Sequence, residues 1–211
     1  MTHQIKTIVR EIEEKLKETR SERAMLVGVS GIDGSGKGFI TARLMEDLKR
    51  KGVNAVGINI DGWLNLPHIR FDPADPARNF YRNAIRFGEM FEKLIRPLKQ
   101  NRSIRLIADF AEETADRFRR HEYFYRDADV ILLEGIYLFK KDFLSIFDLK
   151  VWVECSFETA LERAVARAQE GLPPEETVKA YRSIYFPAQE IHFARDNPRS
   201  AADLIFNNDL P

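Results

Sequence analysis

The sequence predicts an α/β fold with a mostly parallel sheet, and three observations support this prediction. Short apolar runs rich in Val, Ile and Leu alternate with longer segments of helical periodicity. A glycine-rich segment, residues 31–38, separates the first of these runs from the helical segment that follows it. No repeat or linker divides the 211 residues, an ordinary length for one domain. We therefore expect one domain over 1–211, with helices packed on a parallel sheet.

Composition and charge exclude several classes of protein. Lys+Arg and Asp+Glu number 33 each, so no net field attracts nucleic acid, and acidic neighbours offset Arg117, Arg119 and Arg120. The single cysteine, Cys155, cannot form an internal disulfide. No apolar run reaches the roughly 20 residues needed to span a bilayer, and the charged N-terminus lacks the apolar segment of a signal peptide. We expect a cytoplasmic protein without a nucleic-acid or membrane partner.

Residues 1–20 predict an N-terminal amphipathic helix. Their apolar residues lie three or four positions apart among charged ones: Ile5, Ile8, Val9, Ile12 and Leu16. This spacing places one apolar stripe along a helix. The stripe either packs on the rest of the domain or forms a contact between two copies, so a homo-oligomer is an open alternative.

The next segments predict a strand, a glycine loop, a helix and a second strand. Residues 24–30 and 53–60 are short apolar runs with the composition of buried parallel strands. Residues 38–50 have helical spacing and are followed by Gly52 as a stop. The Pro-containing stretch 62–76 is expected to be irregular and is a candidate substrate loop.

The alternation continues to the C-terminus. Helical composition covers 77–99, and two further helices, about 156–170 and 174–192, are expected to form a lid and its flanks. Four more strands are predicted, at 104–108, 129–134, 149–153 and 203–206. The run Val-Ile-Leu-Leu in the second of these is typical of a strand buried on both faces.

The glycine-rich segment carries the clearest functional signal. It matches the first seven positions of the Walker A phosphate-binding pattern in the strand-to-helix context that the pattern requires. Glycines let backbone N–H groups surround a phosphate chain, the helix N-terminus adds partial positive charge, and Lys37 reaches the β and γ oxygens. The predicted ATP-binding residues are Gly31, Ile32, Asp33, Gly34, Ser35, Gly36, Lys37, Gly38 and Phe39. The alternative is a tight turn with an incidental lysine.

The position after Lys37 departs from the pattern. Walker A sequences have Ser or Thr there, whose hydroxyl ligates Mg²⁺, and this chain has Gly38. The backbone cradle does not depend on that hydroxyl, so nucleotide binding is still expected. Binding of Mg²⁺, the expected cofactor, then depends on other groups.

Two carboxylates lie at predicted strand ends. Asp61 follows the run that ends at Ile60, and Glu134 ends the run Val-Ile-Leu-Leu-Glu. Ligands of open parallel sheets collect at the carboxyl ends of the strands. Asp61 can accept the proton of an attacking hydroxyl or bind Mg²⁺ through water, and Glu134 can orient Mg²⁺ through its water shell. The alternatives are a turn or capping role for Asp61 and a solvated strand end for Glu134.

Several short motifs follow one another in order along the chain. They are Gly-Ser-Gly-Lys at 34–37, Asp61 with Trp63, Phe71-Asp72, Asp109-Phe110, Ala-Asp-Val-Ile-Leu-Leu-Glu-Gly-Ile at 128–136, Ile-Phe-Asp-Leu-Lys-Val-Trp-Val at 146–153, Arg163 with Arg167, and Ala-Asp-Leu-Ile at 202–205. In their order and spacing, the chain from Val27 to about Asn208 resembles the uridine kinase and phosphoribulokinase family.

The resemblance implies a P-loop NTPase three-layer sandwich with a five-stranded, mostly parallel sheet and a helical lid. It also implies Mg-ATP as phosphoryl donor, Lys37 on the phosphates and Asp61 as the base that activates the acceptor. Arg163 and Arg167 would belong to the lid and stabilise charge on the transferred group. Their alternative is a solvated helix face paired with Glu162 and Glu170. The implied substrate contacts are Asp61, Trp63, Phe71, Asp72 and Asp109.

The chain departs from the nucleoside kinases of this family at several positions. Ala108 replaces a tyrosine, and the family's histidine is missing after Asp109, with His121 lying farther along. The lid segment 169–174 lacks an arginine that nucleoside kinases tend to carry. Basic and aromatic residues after Asp72 either line a pocket for an anionic or sugar-like acceptor or form a solvated helix face. They are Arg78, Asn79, Tyr81, Arg82 and Arg86.

We predict a kinase that transfers the γ-phosphoryl group of Mg-ATP to a hydroxyl of a nucleoside or related metabolite. One alternative is a nucleoside monophosphate kinase of the thymidylate kinase type, although Asp61-Gly62 stands where those enzymes have Asp-Arg. The other is a nucleotide-binding regulator without turnover, which Gly38 and the missing base-recognition residues favour.

Overall fold

The computed structural model describes residues 2–18, 22–168 and 171–209. Seven strands are found in these ranges: β1 Met25–Gly31, β2 Ala55–Asn59, β3 Ile104–Phe110, β4 Arg119–Tyr125, β5 Val130–Gly135, β6 Leu149–Glu154 and β7 Leu204–Asn207. Five of them form one sheet in the order β2-β5-β1-β6-β7, and every neighbouring pair is parallel. The predicted five-stranded parallel sheet is confirmed.

Ten α-helices connect or flank the strands in the described ranges. They are α1 Thr2–Glu18, α2 Lys37–Arg50, α3 Pro67–Arg70, α4 Pro76–Asn83, α5 Phe87–Met90, α6 Arg96–Asn101, α7 Phe157–Arg167, α8 Pro174–Ala180, α9 Phe186–Asp196 and α10 Pro198–Ala201. Two π-helical turns, Phe91–Ile95 and Tyr181–Tyr185, join α5 to α6 and α8 to α9. None of the helices in the described part is long and apolar enough to cross a lipid bilayer.

Apolar cores lie on both faces of the sheet. On one face, Met25, Val27 and Val29 of β1 pack in a cluster with the apolar side of α2 and with the stripe of α1. Ile12 of that stripe is completely buried. The stripe therefore packs on the rest of this domain, which was the first of the two expectations for it. On the other face, Leu26 belongs to a larger cluster with the helices that follow β2 and with α7 and α9. Burial on both faces explains why these strands have continuous apolar sequences.

The middle of the chain differs from the prediction in two helical segments. The stretch 62–76, expected to be irregular, contains the short helix α3, which begins at a proline as first turns often do. The helix expected over 77–99 is interrupted after α4. There Ile85 forms an antiparallel bridge with Leu64, and Asn65 N–H donates to the Ala84 carbonyl at 2.9 Å. These contacts fasten the candidate substrate loop to the helical layer.

The strand expected at 104–108 does not join the main sheet. It is β3, and it pairs antiparallel with β4, which the sequence analysis missed. The sequence of β4, Arg-Arg-His-Glu-Tyr-Phe-Tyr, is rich in charge because most of its side chains are at least partly exposed, whereas Tyr123 is buried. A bridge between Trp63 and Ala111 joins this hairpin to the segment after β2. The hairpin therefore lies beside the ends of the central strands.

Candidate active site

The loop after β1 has a conformation that only glycine allows at two positions. Gly34 and Gly36 have φ angles of +75° and +85°. A Cβ on Gly34 would lie 2.5 Å from the carbonyl oxygen of Ala160, and one on Gly36 would lie 2.5 Å from Asn208 Nδ2. The loop is thus held closely between α7 and the end of β7, and it ends where α2 begins at Lys37. This is the backbone path that the Walker A pattern predicts.

Side chains from the C-terminal half fix the loop. Asn208 Nδ2 donates to the carbonyl of Ser35 at 2.7 Å, and Arg163 Nη2 donates to the carbonyl of Asn208 at 2.9 Å. Arg163 Nη1 also lies 3.5 Å from the Ser35 carbonyl. Arg163 therefore contacts the phosphate loop directly. Its predicted action on a transferred phosphoryl group stays a prediction.

Asp33 connects the loop to the lid region. Its Oδ2 accepts a hydrogen bond from the Tyr181 hydroxyl, and its Oδ1 lies 3.7 Å from Arg167 Nη2. Tyr181 begins the π-helical turn between α8 and α9, and such turns occur frequently at functional sites. Glu162 is exposed, and Glu170, the other suggested partner of these arginines, lies outside the described residues. Arg167 thus lies beside the phosphate loop, and its place in a lid stays a prediction.

A cleft of about 360 Å³, here called the inner cleft, opens in front of the loop. Asp33, Gly34, Gly36, Lys37, Gly38 and Phe39 line one side, and Asp61, Arg70 and Glu134 contribute charged groups elsewhere along it. The volume is in the range of small-molecule sites. The structure therefore brings the predicted phosphate loop and both predicted carboxylates to one cleft. Arg167 lines the same cleft.

The sheet register explains how the two carboxylates meet. Glu134 of β5 is paired with Asn59 of β2 on one side and with Val29 of β1 on the other. Asp61 follows β2 by two residues in a 3₁₀ turn, where Asn59 Oδ1 accepts from the Asp61 N–H at 2.7 Å. Glu134 therefore lies inside its strand, buried, and is not the solvated strand end of the alternative reading.

Both carboxyl groups are harder to ionise than usual. Burial raises the pKa of Glu134 to about 7, an effect that Lys37 partly offsets and that Asp61 and Asp33 reinforce. The pKa of Asp61 is also raised, first by desolvation among the surrounding protein atoms, against the opposing charge of Lys37. The Asp61 side chain is nevertheless open to water in the cleft. A nearby cation would favour the ionised form of both groups.

These observations fit a magnesium site. Two carboxylates line the cleft at the phosphate loop, and hard oxygen ligands of this kind suit Mg²⁺. The position a Cβ on Gly38 would occupy lies 3.6 Å from Glu134 Oε1, so the usual Ser or Thr hydroxyl would project beside this carboxylate. No group of three or more potential metal-binding side chains was found among the described residues. Asp61 and Glu134 would therefore hold Mg²⁺ together with water and phosphate oxygens.

Four of the predicted substrate contacts do not line the inner cleft. Trp63 is completely buried and stacks on Tyr123 at a ring distance of 5.5 Å. Phe71 stacks on Phe80 at 5.7 Å, Asp72 is exposed and accepts from the Ala74 N–H at 2.9 Å, and Asp109 pairs with Arg120 at 2.9 Å. Of the five predicted substrate residues, Asp61 alone lines this cleft. The roles of the other four stay predictions.

Asp61 also lines a second cleft, here called the hairpin cleft. Its lining includes Phe110, His121 and Tyr123, and the His121 ring lies 4.9 Å from Phe110 and 4.6 Å from Tyr123. His121 is the direct partner of Ala108 in the hairpin register. The sequence analysis set His121 aside as too far along the chain. Because β3 and β4 pair antiparallel, His121 lies next to Ala108 although the two are far apart in sequence.

Besides the predicted Arg167, the inner cleft is lined by an arginine that the sequence analysis did not single out. Arg78 and Arg82 are exposed, which agrees with the solvated-face interpretation, and Arg86 bonds to Glu89 and to the Asp109 carbonyl. Arg70 instead is 1% exposed and lines the cleft. A lone arginine in a proline-containing loop gives no sequence signal for burial. Only its place in the fold reveals it.

Comparison with known proteins shows the family. The sequence matches the family described as Phosphoribulokinase / Uridine kinase over residues 26–172. The chain belongs to this family. The resemblance inferred from the motifs is thereby confirmed, and the protein is a kinase of the nucleoside or small-molecule type.

Relatives of the chain include uridine kinases from different organisms. The chain is 26% identical to uridine-cytidine kinase 2-B of Danio rerio over 177 residues, which are 78% of this chain and 66% of that enzyme. It is 23% identical to a uridine kinase of Macrococcus caseolyticus over 170 residues, 78% of this chain and 80% of that protein. A solved structure described as a "Possible Uridine Kinase" from Bacillus stearothermophilus superimposes with a TM-score of 0.75 at 18% identity, covering 97% of this chain and 98% of that one. The P-loop three-layer fold is thus confirmed.

Proposed function

We propose that this kinase transfers the γ-phosphoryl group of ATP to a hydroxyl of a small metabolite, in the manner of uridine kinases. The observation that carries the proposal is that the phosphate loop and Asp61 line one cleft. This arrangement brings a donor phosphate and an acceptor hydroxyl together beside a carboxylate. Such positioning accounts for much of the catalysis of phosphoryl transfer.

The groups at the phosphate loop and the two carboxylates have distinct roles in this reaction. Backbone N–H groups between Gly31 and Gly36 surround the phosphates, and Lys37 pairs with the β and γ oxygens. Arg167, which in the structure contacts Asp33, neutralises charge on the transferred group. Mg²⁺ held through Asp61 and Glu134 supplies further charge neutralisation on the phosphates when bound.

Asp61 is the base in the proposed transfer. Its carboxylate accepts the proton as the acceptor oxygen bonds to the γ-phosphorus and the bond from that phosphorus to ADP breaks. The products are a phosphate monoester and ADP.

The experiment that tests the proposal is ADP release from Mg-ATP with a panel of uridine, cytidine, other nucleosides, nucleoside monophosphates, pantothenate, sugars and sugar phosphates. We expect turnover on at least one acceptor, reduced in Asp61→Asn by about 10²- to 10⁴-fold, with ATP binding retained. Asp116→Asn, an exposed aspartate before β4, is the matched control and should keep full activity.

The regulator alternative rests on Gly38, which removes the usual hydroxyl ligand. Tight ATP binding without turnover on any member of the panel would contradict the kinase proposal and support that alternative. Turnover on nucleoside monophosphates, with none on nucleosides or sugars, would support the monophosphate kinase alternative.

A further inference from the structure

The inner cleft contains a buried cation that phosphoryl transfer does not require. Arg70 is the last residue of α3, on the loop that follows Asp61. Its side chain is 1% exposed, yet it lines the same cleft as Asp61 and the phosphate loop. Burial of a guanidinium is strongly unfavourable unless the charge is paired and its N–H groups are bonded. The Arg70 guanidinium therefore needs hydrogen-bond and charge partners.

Contacts within the described residues leave much of this guanidinium unsatisfied. Arg70 Nη2 donates to the backbone carbonyl of Glu113, and Nε is buried without a hydrogen-bond partner. The guanidinium carbon lies 5.1 Å from the centre of the Phe71 ring. No ion pair between described residues includes Arg70. The arginines nearest to it on either side in sequence that form ion pairs are Arg50 and Arg78. Because a guanidinium has five N–H donors in a fork that matches carboxylate and phosphate, the unused capacity suits an anion.

Two further polar groups of the cleft are buried without partners. They are the hydroxyl of Tyr137 and Oε1 of Gln189, and both residues line the inner cleft together with Arg70. Phe80 supplies an apolar surface in the same cleft. Polar groups buried without partners cost free energy, and native proteins seldom retain them without a reason. Desolvation also lowers the pKa of Arg70, while the charges of Glu113, Tyr185 and Asp61 oppose that shift. A bound anion would act in the same sense as these charges.

We propose that the phosphoryl acceptor carries an anionic group, a phosphate or a carboxylate, and that Arg70 binds this group while Asp61 receives the proton of the hydroxyl. The inference rests on the proposed kinase function and specifies its substrate class. Arg70 is then a specificity-determining residue of the acceptor site. A neutral acceptor leaves the buried charge without its partner, and sites built to bond a substrate group reject analogues that lack it.

The test uses acceptors in matched pairs that differ in the anionic group. Suitable pairs are glycerate and glycerol, and ribose 5-phosphate and ribose. ADP release is measured for the wild type, Arg70→Met, Arg70→Lys and the exposed control Arg78→Met. In parallel, calorimetry with a non-hydrolysable ATP analogue measures binding of each acceptor without turnover. The phosphate and carboxylate pairs distinguish the two sources of negative charge.

We expect the wild type to favour the anionic member of one pair. Arg70→Met should raise KM and Kd for that acceptor on the order of 10- to 100-fold, the effect of losing charge-assisted hydrogen bonds. Its affinity for ATP and its kcat should change little. Arg70→Lys keeps the charge but loses the planar fork, so it should lie between. If Arg70→Met does not fold, Arg70→Lys is compared with the wild type in its place.

The outcomes separate this inference from the kinase proposal. Turnover on neutral acceptors with equal or better efficiency, or anion binding that Arg70→Met and Arg70→Lys leave unchanged, would overturn the inference and leave the kinase intact. Binding of an anionic probe that depends on Arg70, without turnover on any acceptor, would support the anion site and overturn the kinase proposal.

Discussion

Replacement of Asp196 by alanine provides a quantitative test of how the inner cleft is supported. Asp196 ends α9 and is buried, with three hydrogen-bond donors directed at its carboxylate. The Tyr81 hydroxyl donates to Oδ2, His192 Nδ1 lies 2.7 Å from the same oxygen, and the Lys141 N–H donates to Oδ1 at 3.2 Å. Asp196 therefore ties α9 to α4 and to the segment after β5.

The expected loss of stability follows from these contacts. Asp196→Ala leaves a buried tyrosine hydroxyl and a buried imidazole N–H without partners, each costing about 1–3 kcal/mol. We therefore expect a loss of about 3–5 kcal/mol in the free energy of unfolding. For a domain of this size, that loss lowers Tm by about 10 °C. The control is Asp116→Ala, whose exposed side chain should change stability little.

The stability lost in Asp196→Ala depends on pH. Burial raises the pKa of Asp196, but hydrogen bonds from His192, Tyr81 and the Lys141 N–H outweigh it and lower the pKa to about 2. Because the folded pKa lies below the ordinary value of 3.8, the contribution is fully present above about pH 4. It is lost as the pH falls towards 2. Burial lowers the pKa of His192, so the imidazole is neutral near pH 7 and donates Nδ1–H.

The assay is urea unfolding of both variants and the wild type, followed by circular dichroism at pH 7, 5 and 3. A loss below about 1 kcal/mol at pH 7, or a loss that grows as the pH falls from 5 to 3, would refute the argument. The cleft wall is involved because α9 carries Gln189 and the segment after β5 carries Tyr137. Acceptor KM should therefore rise in Asp196→Ala.

Three further predictions concern single glycines. Gly34→Ala should abolish ATP binding measured by calorimetry, because its φ is +75° and the new Cβ would lie 2.5 Å from the Ala160 carbonyl oxygen; retained affinity would contradict the assigned loop conformation. Gly38→Ser places a hydroxyl beside Glu134 Oε1. Half-maximal turnover should therefore need less Mg²⁺ in this variant than in the wild type or in Gly38→Ala. An unchanged Mg²⁺ requirement would count against Mg²⁺ at this position. Gly88→Ala, in a helix with open space around it, should raise the free energy of unfolding by about 0.5–1 kcal/mol in urea titrations; destabilisation would show that this helix is strained.

Local patterns were sufficient where one physical cause acts along the chain. The ends of the five central strands were predicted to within two residues. Strands buried on both faces require continuous apolar runs, as at Val130–Gly135. The phosphate loop was predicted because its backbone needs positive φ angles, which glycine adopts readily. Asp61 was found because it lies just past the end of a strand of the sheet, in the turn that follows β2.

Patterns were insufficient where the cause is a contact between distant segments. The strand β4 carries mostly polar residues, and its antiparallel pairing with β3 decides that His121 lies opposite Ala108. The helix predicted over 77–99 breaks because Ile85 bridges to Leu64. Neither partner is visible in a short window of sequence.

The sequence by itself therefore determined the family, the parallel sheet, the phosphate loop and the carboxylate that faces it. These features depend on local backbone geometry and on periodic burial, both of which leave marks on neighbouring residues. Only the tertiary structure decided that Arg70 lines the inner cleft whereas Arg78, Arg82 and Arg86 do not. The burial of a charged side chain depends on which segments fold over it, and that information is spread across the whole chain.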